Sequence, residues 1–129
     1  MTPVNPLTDP RWDQWLRGRF ADVSFFHGAA WARVLVETYR FRPAYFVAAD
    51  ETAVLPVMEV DSWLTGRRGI GLPFSDECPG LGARLDKLIA AARDHGAARG
   101  WKYLECRGGP TGASASTEFH AHRLALDAD

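Results

Sequence analysis

Apolar residues recur at three- and four-residue intervals over the first third of the chain and at two-residue intervals over much of the rest, so helices come first and strands follow. Trp12, Trp15, Leu16 and Phe20 predict a helix of about three turns. Asp9 stands as its N-cap and Pro10, with no N–H to leave orphaned, as its first residue. A second helix, capped by Ser24, places Phe26, Ala30, Trp31, Val34, Leu35 and Thr38 on one face and turns Arg33 and Glu37 outward. It must stop before Pro43, because proline disfavours helix at the residue ahead of it. Residues 45–49 and 53–60 are rich in β-formers around Asp50-Glu51-Thr52 and predict an antiparallel hairpin, with Pro56 marking an edge or a bulge. Residues 1–8, with two prolines and little periodicity, read as a flexible tail.

In the middle of the chain Ile70, Leu72 and Phe74 alternate with Gly71, Pro73 and Ser75, a half-buried strand. Pro79-Gly80 supplies a turn, and from about residue 83 the period lengthens again. Leu85, Leu88, Ile89 and Ala92 then share a helical face, and Gly96 or Gly100 closes the helix. Residues 101–107 form another strand, Tyr103 and Glu105 facing away from Leu104 and Cys106; residues 108–117 are a loop and 119–126 a last strand. The order predicts a single α/β domain (α+β) over residues 9–129, a mixed, mostly antiparallel sheet flanked by helices.

Composition narrows the function classes. A net charge of −1 provides no overall electrostatic footprint for DNA or an anionic membrane, and no apolar run approaches the ~20 residues of a membrane span. Five Trp and seven Phe call for aromatic packing or an aromatic interface. Cys78 and Cys106, without Cys-x-x-Cys spacing or a preceding signal peptide, read as reduced thiols of a cytoplasmic protein. The glycine-rich stretch 66–82 joins strand to helix, a place where phosphates often bind, but Asp76 and Glu77 repel an anion there. Neither Gly-x-Gly-x-x-Gly nor the Walker spacing is present. The acyl-CoA loop of acetyltransferases needs Arg or Gln three residues before the first of two spaced glycines, and those positions hold Gly66 and Glu77. The same two acids oppose a reactive Cys78 thiolate, and His120 with His122 make only two metal ligands, so no metal is expected.

Glu105 and Arg107 share one strand face, where they form a surface pair worth ~0.2–1 kcal/mol or position an acceptor amine. Asp76 ends a strand at the sheet's open mouth, where ligands of α/β folds gather, or else caps the loop. Trp12, Trp15, Phe26 and Trp31 read as core between helices and sheet, any exposed fraction marking a docking face.

Several local signatures, in this order, resemble the N-terminal half of the FemAB-like branch of the GNAT acyltransferase superfamily. They are Phe25-Phe26-His27 with Trp31, Arg42-Pro43, Leu55-Pro56-Val57, Leu72-Pro73-Phe74-Ser75-Asp76 and Tyr103-Leu104-Glu105-Cys106-Arg107, spread over residues 12–126. The resemblance implies a GNAT-like domain that helps transfer an acyl or aminoacyl group to an amine. Acyl-CoA or aminoacyl-tRNA would be the co-substrate, and no cofactor would reside in this chain. It also implies a partner, either a second GNAT-like half or another copy, because the chain stops where that family begins its second half. Acceptor-binding candidates are Asp76, Glu105 and Arg107. The other expectation is a truncated, non-catalytic interaction domain that keeps only the fold.

Overall fold

Pro56 divides the apolar run 53–60 between two sheets. The computed structural model describes residues 2–21, 23–64, 66–71, 80–82, 85–107 and 121–125, with backbone alone for 106, 107 and 121–125. Within it β1 (Arg42–Pro43), β4 (Met58–Ser62), β5 (Gly66–Ile70), β7 (Trp101–Arg107) and β8 (Ala121–Ala125) form one sheet in the order β1-β4-β5-β7-β8. β2 (Phe46–Val47), β3 (Ala53–Leu55) and β6 (Leu81–Gly82) form the other, in the order β2-β3-β6. A proline has no N–H for a ladder, and here the missing donor marks the change of sheet where an edge or bulge was expected. The hairpin of residues 45–60 is therefore confined to β2 and β3.

The described pairings are antiparallel except β5 with β7, which run parallel and are joined through α3 (Leu85–Arg99). The small mixed α/β domain with a mostly antiparallel sheet is thus as expected. Its α3 buries Leu88, Ile89 and Ala92 and ends at Gly100, whose φ of +79° is the left-handed closure that favours glycine. Between Arg67 and Gly69 the parallel register slips, so that Trp101 opposite Arg67 and Leu104 opposite Gly69 both turn toward α3. Leu104, Trp101, Phe46, Ala53 and Leu55 join the buried residues of α3 in one core. Trp12 and Leu16 of α1 (Trp12–Arg19), Ala32 and Leu35 of α2 (Ala29–Tyr39), Tyr45, Val54 and Met58 make a second core on the other side. Val54, between Ala53 and Leu55, shows the alternation that serves both.

Both N-terminal helices start later than their sequence signals. Asp9 Oδ1 accepts from Arg11 N–H at 2.9 Å and its carbonyl from Trp12 N–H at 3.1 Å, so Asp9-Pro10 make a turn ahead of α1. Ser24 caps a separate 3₁₀ turn, Phe25–His27, and α2 begins only at Ala29, whose N–H is capped at 2.8 Å by Asp13 Oδ1 from α1. The helical phase counted from Ser24 does not carry through that turn. Ala32 and Leu35 are therefore the buried pair, while Ala30, Val34 and Thr38 are exposed. The start of the chain is tied down where a loose tail was expected: Val4 and Tyr45 exchange backbone bonds of 2.7 and 3.0 Å, and Pro6–Thr8 form a 3₁₀ turn capped by Asn5.

Candidate functional site

The parallel ladder of β5 and β7 ends with Ile70 opposite Glu105, two residues before β7 itself ends, and Gly71 N–H donates to the Glu105 carbonyl at 2.6 Å. In α/β sheets ligands gather beyond the carboxyl ends of parallel strands. Leu104 lies in the α3 core, so the adjacent Glu105 projects to the opposite face. Arg68 shares that face, because Gly69 beside it is the partner of Leu104. Glu105 is only 9% exposed. It is therefore a carboxylate sheltered from solvent. A buried carboxylate requires cationic or hydrogen-bonding partners.

Of the other two acceptor-binding candidates, Asp76 lies outside the described residues. The backbone of Arg107 sits two positions beyond Glu105, opposite Ala121, and its side chain lies outside the description. Cys78 and His120 are likewise outside, and Cys106 and His122 are known only as backbone partners between β7 and β8. Among the described residues no group of three or more His, Cys, Asp or Glu could hold a metal ion, and no helix is long and apolar enough to cross a membrane.

A second buried carboxylate, Glu59, was not singled out from the sequence. It is 4% exposed on β4 and faces α3. Arg99, from the last turn of α3, donates to it through Nε at 2.9 Å and Nη2 at 2.8 Å, and Trp101 Nε1 donates to Oε1 at 2.6 Å. Arg42, across the ladder on β1, stands at 3.9 Å. The Arg99 bonds, helped by the Trp101 indole and opposed by burial, hold the Glu59 carboxyl down at about 2. His95, edge-on to Phe46 and Trp101, is pushed below its ordinary value by burial, against the pull of Glu59. The Trp101 ring lies so close over Gly69 that any β-carbon there would overlap it. With both oxygens bonded, Glu59 is placed to bind β4, α3 and β7 together rather than to move a proton. The acid within Leu55-Pro56-Val57-Met58-Glu59-Val60 was a visible signal, but its partners stand 40 and 42 residues away.

Ser24 and His27 also resemble a nucleophile with its base, Oγ lying 3.0 Å from Nδ1. Nδ1 however accepts the Ser24 backbone N–H at 3.0 Å, so its lone pair is committed to closing the turn. A cavity of about 690 Å³ beside it is lined by Asp13, Leu16, Arg17, Phe20 and Phe25. Asp13 is already engaged there in capping α2. Compared with protein-family models, curated proteins and solved structures, the chain matches none.

Proposed function

We propose that this chain is an acyltransferase-like domain, of the FemAB and GNAT kind, that binds an amine acceptor at the carboxyl end of β5 and β7. The observation that carries the reading is Glu105, a 9%-exposed carboxylate at the end of the parallel pair. Its chemistry suits an ammonium: it accepts hydrogen bonds from the amine and takes the proton the nitrogen must lose before attacking. The new C–N bond forms as the donor's C–S or C–O bond to the acyl carbon breaks, and the donor leaves as thiol or hydroxyl after protonation. Acyl-CoA or aminoacyl-tRNA serves as donor, and a second GNAT-like half or a second copy supplies the rest of the site.

The test combines amide formation with light scattering over a range of protein concentrations. Purified chain, mixed with an acyl-CoA or an aminoacyl-tRNA and a primary amine, is expected to yield amide at a rate rising more steeply than protein concentration. Glu105→Gln is expected to lower that rate roughly a hundredfold with an unchanged far-ultraviolet spectrum. A monomer indifferent to donor, with no amide at any concentration, sinks the self-completed enzyme.

A further inference from the structure

The turn between β4 and β5 carries Trp63, 91% exposed, and Leu64, 72% exposed, next to each other. Scattered apolar side chains are normal on a surface, but these two adjoin at the tip of a hairpin whose base is fastened. Asp61 pairs with Arg67 across the strands at 3.3 Å, Arg67 Nη1 donates to the Arg99 carbonyl at 3.1 Å, and Leu64 N–H donates to Ser62 Oγ at 3.3 Å. These contacts fasten the base of the turn beneath Trp63 and Leu64.

At the base stand two exposed basic residues, Arg67 and Lys102, against one acidic residue, Asp61. The Lys102 stem runs beside the turn, since a β-carbon on Gly66 would come within 2.9 Å of its Cε. An indole and a leucine ahead of basic side chains with long apolar stems is the composition of an interfacial anchor. A stable protein–protein patch needs about 800 Å² from each partner, far more than two side chains at a tip provide, whereas a fluid lipid interface needs no matching surface. We propose that the Trp63–Leu64 tip seats on an anionic lipid surface, the indole at headgroup level and the basic residues against the lipid charge. The site lies at the opposite end of β5 from Glu105 and is independent of the acyl-transfer reading.

The experiment is flotation of the full chain with vesicles of equimolar phosphatidylglycerol and phosphatidylcholine, and with vesicles of phosphatidylcholine alone. The chain is expected to float with the anionic vesicles, less so at high salt, and much less with the neutral ones. The double variant Trp63→Ala, Leu64→Ala is expected to lower partitioning roughly tenfold or more, and Lys102→Gln about fivefold. Each replaced side chain is exposed, so the variants should keep the parent's circular dichroism. Absence of flotation, or flotation that the tip variants leave unchanged, overturns the proposal. So does a change of oligomeric state in the tip variants without vesicles, which would make the tip a protein-docking surface.

Discussion

Glu59 and Glu105 are both buried carboxylates in the same five-stranded sheet, on opposite faces. Glu59 faces α3 beside the start of β7, where Arg99 and Trp101 occupy its oxygens and hold it ionised far below the usual carboxylate range. Glu105 lies near the far end of the same β7, where its parallel pairing with β5 ends. Burial alone does not distinguish a fastening from a binding group. What distinguishes them is the position of each along the strands.

The largest effect expected on stability is that of Glu59→Ala, which leaves the Arg99 charge and the Trp101 indole without their acceptor: a loss of about 3–5 kcal/mol in urea unfolding. If Glu105→Ala costs more than Glu59→Ala, the division of labour between them is reversed. Acid follows closely. Glu59 has a folded value below its ordinary one, so its contribution is complete above the ordinary carboxylate value and is lost as pH falls from 4.5 through about 2. That loss amounts at most to about 3 kcal/mol. His95, lowered chiefly by burial, acts in the same direction beginning at higher pH, since protonating it opposes the fold. The unfolding free energy, followed from pH 7 downward, should therefore decline more gently in Glu59→Gln than in the parent.

Gly69→Ala is expected to cost about 1–3 kcal/mol by driving a methyl group into the Trp101 ring. A cost near zero would mean that the ring moves aside freely and does not fix the lock. Smallest of all is Trp63→Ala, expected to change stability by no more than about 0.5 kcal/mol because the side chain is 91% exposed. A melting temperature well below the parent's would show that Trp63 belongs to the fold rather than to a docking tip.

Much of the architecture was legible because it depends on local spacing. The face Leu88, Ile89 and Ala92, the glycine that closes α3, and the strand Trp101–Arg107 stand where period and terminators put them. Local rules failed where a distant residue intervened. Asp13 caps α2 from another helix, so the strong signal at Ser24 marked only a 3₁₀ turn, and Val34 came to the surface. Leu81–Gly82 became a strand only because β3 offered an edge, and Val4 was tied down only because Tyr45 passes beside it. Of the acceptor-binding candidates, Glu105 could be placed in its strand from alternation, but neither its shelter nor the parallel partner at its side was readable.

The sequence by itself determined the order of elements, the two-sided alternation of the strands and the class of fold, because each follows from the side-chain pattern of neighbouring residues. Tertiary structure decided the rest: the change of sheet at Pro56, the Glu59–Arg99–Trp101 lock and the local excess of positive charge beneath Trp63 in a chain of net charge −1. Hydrogen bonds and charge clusters depend on distances across space. Strand register sets those distances, and the slip between Arg67 and Gly69 is not written in the spacing of any one segment.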